Sequence, residues 1–258
     1  MNIQDPTTQA AKRHWLVKVP EITLAFWLIK ILSTTVGETA ADYLAVDVGL
    51  GLTITMGIMM TLLLAALAVQ FRSRQYTPWR YWLVVVLVSV VGTQITDFLT
   101  DHLGVSLYVS TGVFSGLLVL SFWLWHKFEC TLSIHDIDTP RREMFYWITI
   151  LCTFALGTAA GDLATEAFGL GFTVGSVLFG VAIALTWVSF KTGGSPVLTF
   201  WVAYVITRPF GASLGDLLTQ SKDSGGFDLG TMHVSAVFLS VIVVLVAYAQ
   251  LNRKAHHE

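Results

Sequence analysis

Apolar residues run along this chain in long blocks rather than in alternation with polar ones. A helix needs about twenty mostly apolar residues to cross a bilayer, and blocks of that kind fall at roughly 22–46, 53–71, 79–101, 104–126, 144–167, 170–190, 196–219 and 229–251. The pattern predicts an all-α membrane protein of eight transmembrane helices. Pro20, Pro78 and Pro196 stand at predicted helix starts, where a missing backbone N–H does no harm. Gly49, Gly51, Gly104, Gly169, Gly171, Gly225 and Gly226 mark tight connections. The even-numbered blocks carry no Asp, Glu, Lys or Arg between their ends, whereas every odd-numbered block carries some. An intramembrane charge costs at least ~2.5 kcal/mol at a helix centre and so faces the protein interior. The odd helices are therefore expected to form an inner ring, with the even helices facing lipid or bracing it.

The odd blocks also repeat one another. Trp27 to Asp42, Trp82 to Asp97, Trp147 to Asp162 and Trp201 to Asp216 are each fifteen positions apart. Gly37, Gly92, Gly157 and Gly211 each lie five positions before the aspartate, and Phe26, Tyr81, Tyr146 and Phe200 each precede the tryptophan. Three further matches at one preset offset would arise by chance in roughly 10⁻⁴ of sequences or fewer. The chain thus reads as four copies of a two-helix unit, all entering the membrane from the same side: a parallel repeat with pseudo-symmetry. A small residue, Ala41, Thr96, Gly161 or Gly215, directly precedes each aspartate. With the glycine four positions earlier it makes a stripe that lets helix backbones approach closely.

Composition agrees with the pattern: 54% of residues are hydrophobic, only 12% are charged, and the mean hydropathy is +0.68. The net charge of −2 argues against a nucleic-acid partner. Cys130 and Cys152 make no disulfide framework or zinc spacing, and the first eighteen residues read as a polar tail without a signal peptide. Basic residues set the orientation. Lys12, Arg13 and Lys18, then Arg72, Arg74 and Arg80, then Lys127, Arg141 and Arg142, then Lys191, and finally Arg253 and Lys254 fall at alternate ends of the spans. Both termini are therefore expected in the cytoplasm. The organisation expected is a cytoplasmic tail 1–19, repeats at 20–71 and 78–126, a solvated cytoplasmic linker 127–143, repeats at 144–190 and 196–251, and a tail 252–258.

The acids follow helical spacing. Glu38 and Asp42, Asp97 and Asp101, and Asp162 and Glu166 are pairs four residues apart, each on one helix face. The fourth copy has Asp216 followed by Gln220, with Arg208 eight positions before the aspartate. Each aspartate lies ~22 Å along its helix from the repeat tryptophan, so tryptophans near the cytoplasmic interface place the acids in the outer half of the membrane. Seven carboxylates cannot all be ionised in one dry cavity without protons or cations to balance them; Arg208 and Lys30 are candidates to offset two. Carboxylates with the hydroxyls of Thr34, Thr93 and Thr158 form an oxygen donor set suited to hard cations. Met56, Met59 and Met60 read as packing, and His102 and His233 could add an imidazole. The glycines Gly37, Gly92, Gly157 and Gly211 read equally well as helix-packing positions.

With that Trp–Gly–Asp register in view, the chain resembles a bacterial family of membrane proteins built from four tandem copies of a repeat of unknown function. The segments KVPEITLAFWLIKILSTTVGETAADYL and TRPFGASLGDLL match it most specifically, and the resemblance covers about residues 18–251. It implies two transmembrane segments and one tryptophan per copy, here Trp27, Trp82, Trp147 and Trp201, and an acidic register on Glu38, Asp42, Asp97, Asp162 and Asp216. It implies no substrate. Chemistry alone therefore leads to the expectation of a proton-coupled secondary transporter of a divalent cation, foremost Mn²⁺, in a bacterial inner membrane. A small organic cation or zwitterion, and a non-transporting membrane-embedded metal sensor, are the alternatives. No P-loop, His-Glu-x-x-His helix or nucleophile–base constellation is visible, so no enzyme is expected. No resident cofactor is expected, the metal being substrate. The partners are the bilayer, the cation and protons; homo-oligomerisation stays open.

Overall fold

Every predicted block forms one long helix. The computed structural model describes residues 17–255, and these form eight long helices and no strand. They are α1 (Leu24–Asp42), α2 (Leu52–Arg72), α3 (Pro78–Asp97), α4 (Leu107–Glu129), α5 (Pro140–Asp162), α6 (Gly171–Lys191), α7 (Pro196–Thr219) and α8 (Thr231–Ala255). Seven of them, α2 to α8, are long and apolar enough to cross a membrane; α1, with Lys30, Glu38 and Asp42 in its nineteen residues, is not among those seven. The basic tail residues Lys12 and Arg13, and the side chains of Arg253 and Lys254, lie outside the described residues.

Capping chemistry sets the helix starts. Thr23 caps α1, its hydroxyl accepting from the Phe26 N–H at 3.2 Å, so the helix begins at Leu24 and Pro20 stands in the extended segment before it. Pro78, Pro140 and Pro196 occupy the first turn of α3, α5 and α7, where proline's fixed φ suits the helix. Pro140, with the Thr139 cap, starts α5 four residues before the apolar block begins. Because α4 runs on to Glu129, the central connection shrinks to residues 130–139. It is not a solvated linker. Ile134 and Ile137 are buried, the Leu132 carbonyl accepts from the Trp201 indole at 2.9 Å, and the Ile137 carbonyl accepts from the Lys18 N–H at 3.0 Å.

The odd helices close into a ring, α1 against α3, α3 against α5, α5 against α7, and α7 back against α1. Each even helix packs mainly on the odd helix of the next copy: α2 on α3, α4 on α5, α6 on α7, and α8 on α1. Burial follows. In the most apolar stretches of α3, α5 and α7, 56–61% of residues are buried, against 11–22% in α2, α4, α6 and α8. The even helices turn their Leu, Val and Phe side chains outward, as a lipid-facing layer does.

The repeat register supplies the contacts that close the ring. Phe26 packs on Trp82, Tyr81 on Trp147, Tyr146 on Trp201 and Phe200 on Trp27, with centroids 5.6, 5.4, 6.2 and 5.7 Å apart. Each copy's aromatic thus meets the next copy's tryptophan, at distances where aromatic pairs add about 0.5–1.5 kcal/mol beyond burial. Eleven residues along each helix the glycines do the same. Gly37 lies against Ser89, Gly92 against Phe154, Gly157 against Arg208 and Gly211 against Thr34. In every case the neighbour is the residue three positions before the next copy's glycine. A methyl group on Gly92 would sit 2.7 Å from the Phe154 Cβ, and one on Gly37 2.9 Å from the Ser89 backbone.

That geometry predicts unequal costs for one chemical change. Gly37→Ala should destabilise the folded protein by about 1–3 kcal/mol, the usual range for overpacking. Gly57→Ala on the outer helix α2, where nothing lies within 4 Å, should be neutral or slightly stabilising. Thermal unfolding of the two variants in the same detergent measures the difference.

Candidate functional site

In the first three copies the odd helix does not end at its aspartate. After Asp42, Asp97 and Asp162 the chain continues through one π-helical turn, Tyr43–Asp47, Phe98–His102 and Leu163–Ala167, whose N–H groups bond the carbonyl five residues back: Val48 to Tyr43, Leu103 to Phe98 and Phe168 to Leu163, at 2.9–3.0 Å. Such turns inside helices occur frequently at functional sites. They carry Asp101 and Glu166 on beyond the ring's end. In the fourth copy α7 stays α-helical through Asp216 to Thr219.

Between these helix ends lies a cavity of about 390 Å³. All seven sequence-predicted carboxylates line it: Glu38, Asp42, Asp97, Asp101, Asp162, Glu166 and Asp216. Thr100, Leu107, Phe172, Gln220 and Ser224 complete the wall, and among the described residues no Lys, Arg or His belongs to it. Glu38 and Asp216 are buried, Asp42, Asp97 and Asp162 half-buried, and Asp101 and Glu166 exposed at the mouth. The acids stand on separate walls, and among the described residues no three of His, Cys, Asp and Glu come close enough together to hold a metal ion. His102 and His233 stay out of the lining; the His102 ring stacks on Phe98 at 4.9 Å. Met59 and Met60 pack against the core as the sequence suggested.

The cavity floor is a charged network. Arg208, fully buried, donates from Nη2 to Glu38 Oε2 at 2.9 Å, to Thr158 Oγ1 at 2.8 Å and to Thr93 Oγ1, and from Nη1 to the Thr34 carbonyl at 3.3 Å. Glu38, Thr93 and Thr158 each directly follow the repeat glycine of copies one to three. Three equivalent positions therefore converge on one guanidinium, and the fourth, Ala212, leaves room for it. The hydroxyl of Thr34 plays no part; it bonds the Ile31 and Thr207 carbonyls, at 2.6 and 3.3 Å. Ser213, Thr165 and Thr219, like most membrane hydroxyls here, serve packing or the backbone one turn back.

Lys30 does not offset a carboxylate. Its ammonium is fully buried, has no hydrogen-bond partner among the described residues, and lies 4.3 Å from the centroids of both Phe154 and Tyr204. Beyond it the ring interior is closed by Tyr81 and Tyr146, whose hydroxyls are 2.5 Å apart, with Phe26, Phe200 and the tryptophans around them. At the same end Lys18 forms a buried ion pair with Glu143 at 2.6 Å, and Gln70 donates to the second Glu143 oxygen at 3.0 Å. The sequence alone does not show this pair, because Glu143 lies in the charged stretch 127–143 that reads as solvated. The cue was Pro140, which places Glu143 one turn inside a helix.

Removing one partner of a buried pair leaves the other uncompensated, at a typical cost of about 3–5 kcal/mol. Arg208→Met should therefore lower the melting temperature strongly. Adding Glu38→Gln to that variant should recover part of the loss, and a double-mutant cycle reads the coupling directly. Equal and additive losses would show that the two side chains do not depend on each other.

Four stretches of the chain, residues 25–76, 80–131, 145–192 and 199–255, match a family described as Repeat of Unknown Function (DUF347). The matched stretches follow the register found above, each holding one odd helix and the even helix after it. No curated protein and no solved structure matches the chain. Matched over most of its length in four tandem copies, the chain belongs to this repeat family.

Proposed function

We propose that this protein is a proton-coupled secondary transporter of a small cation, with the carboxylate cavity as its binding site. The observation that carries this reading is the cavity lining itself: seven acids, no basic residue, and a floor where Arg208 is already committed to Glu38. Intramembrane acids facing a cavity are the ordinary furniture of ion and proton pathways. The proposed topology has eight spans, both termini in the cytoplasm and the cavity opening on the opposite face. The basic residues Arg72, Arg74, Arg80, Lys127, Arg141, Arg142 and Lys191, all at the end away from the acids, support that orientation. A bacterial inner membrane is the location this reading implies.

In this account Asp42, Asp97, Asp162 and Asp216 hold the cation and take up protons when it leaves. Two protons for one dication keep the charge of the cavity constant. Asp101 and Glu166 at the mouth gather cations electrostatically. Mn²⁺ remains the leading substrate on donor chemistry, all of it oxygen. The separation of the acids supports a dication that keeps part of its water shell, since 390 Å³ has room for on the order of ten waters at ~30 Å³ each. The same volume lies in the ~300–1,000 Å³ range of small-molecule sites, which favours a small organic cation as the second reading.

Proteoliposome flux tests the proposal. Asp97→Asn should abolish proton-coupled uptake while the protein stays folded in the membrane, because the swap keeps shape and removes the charge and the exchangeable proton. Asp101→Asn, exposed at the mouth, should lower flux only a few-fold. Mn²⁺ competing with its own flux, with no competition from spermidine or choline, selects the metal; the reverse selects the organic cation. Metal binding without flux would select a sensor. Unchanged flux per folded molecule in Asp97→Asn would refute the site.

A further inference from the structure

Three charged side chains break the fourfold register, and they stand on successive turns. Seven positions before the glycine, copies two to four carry Val85, Ile150 and Tyr204, whereas copy one carries Lys30. Three positions before it, Thr34, Ser89 and Phe154 give way to Arg208 in copy four. One position after it, Thr93, Thr158 and Ala212 give way to Glu38 in copy one. Glu38 and Arg208 satisfy each other at 2.9 Å. Lys30 is left over. It is fully buried, with no hydrogen-bond partner for Nζ among the described residues and with the Phe154 and Tyr204 ring faces beside it.

A cation–π contact is worth about 2 kcal/mol when desolvated, far below the hydration an ammonium gives up on burial. Packing does not account for the residue either, because the same level is filled by Val and Ile in the neighbouring copies. The charged and titratable groups around it are few. From α7 Arg208 and Tyr204 face it; α5 offers Phe154, with Tyr146 two turns further; α3 carries Val85 at the equivalent repeat position, with Tyr81 one turn further. On α8, also packed against α1, the stretch 231–252 contains no Asp, Glu, Lys or Arg, and its titratable His233 and Tyr248 lie near its two ends.

We propose that Lys30 is the proton-coupling residue of the cation cavity: a proton on its amine and a cation among the acids beyond Arg208 exclude one another. This rests on the transport reading above. The chemistry is one proton lost from Nζ to water when the cavity fills, and regained from water when it empties. Arg208 transmits the effect, because an ammonium on Lys30 repels the guanidinium and drives it against Glu38. Lys30 thus acts at a distance, as a positioning charge rather than a ligand. Eight residues of helix separate it from Glu38, ~12 Å, a distance at which one charge in a protein interior still changes the affinity for a dication on the order of ten- to a hundredfold.

Calorimetry of the purified full chain with MnCl₂, and in parallel with spermidine, in buffers of different ionisation enthalpy gives both affinity and protons released per cation. Lys30→Met, which keeps the volume without the charge, should bind about ten- to a hundredfold tighter and release about one proton fewer than the wild type. Lys30→Arg, permanently charged, should also lose that proton but bind about ten- to a hundredfold more weakly. A purely structural lysine predicts weaker binding in both variants with proton release unchanged. Lys30→Gln repeats the neutral arm should either variant fail to fold. Wild-type binding whose proton release is unaltered in Lys30→Met overturns the coupling and leaves the transport reading standing; no binding of either cation to the wild type removes both.

Discussion

The close approach of successive odd helices at one glycine per copy is the constraint on which the rest of the structure depends. At Gly37, Gly92, Gly157 and Gly211 the space a Cβ would need belongs to the next helix. In lipid there is no hydrophobic drive to gather helices, so association comes from such packing and from polar contacts. Four equal contacts taken in order return to the first helix, and the ring closes. Once closed, the ring has no inner room for the even helices. Each is left outside, on the seam facing the following copy, with mostly apolar side chains and a few hydrogen bonds to the ring such as that of Gln70.

The ring also explains why charge tolerated on α1 and α7 is confined to the interior. A fourfold set of identical polar residues would place four like groups in one level, which is affordable for Thr93 and Thr158 and not for four arginines. The chain instead assigns one charge to one copy at each of three levels. A buried pair such as Glu38–Arg208 adds little stability over apolar packing of the same volume. Its place directly beneath the acids fits the account of a functional floor. At the aspartate level symmetry returns with four carboxylates, and there the wall opens to water.

Much of this was legible in the chain. The apolar blocks located all eight helices and the Trp–Gly–Asp offsets put the acids in one region, because side-chain periodicity and charge cost act locally along a helix. The order of packing was not legible. Whether Phe26 meets the tryptophan of its own copy or of the next is decided in space, and the sequence is the same either way. Lys30 reads in the chain as a candidate counter-ion for the same reason, whereas in space Arg208 from α7 pairs with Glu38 and Lys30 lies against Phe154 and Tyr204. The 130–139 connection read as solvated from its charges, while Ile134 and Ile137, which bury it against the ring end, were too few to register as an apolar block.

The central claim is that a cation occupies the carboxylate cavity and that the cavity opens at one end only. Thr100 lines its wall, whereas Val85 lies in the closed interior. With Cys130 and Cys152 replaced by serine, Thr100→Cys and Val85→Cys can be challenged with a membrane-impermeant maleimide in sealed vesicles of known orientation. The account predicts that Thr100→Cys labels from one face, that millimolar Mn²⁺ or the competing organic cation slows that labelling, and that Val85→Cys stays unlabelled. Labelling of Thr100→Cys at the same rate with and without every cation tried would contradict it.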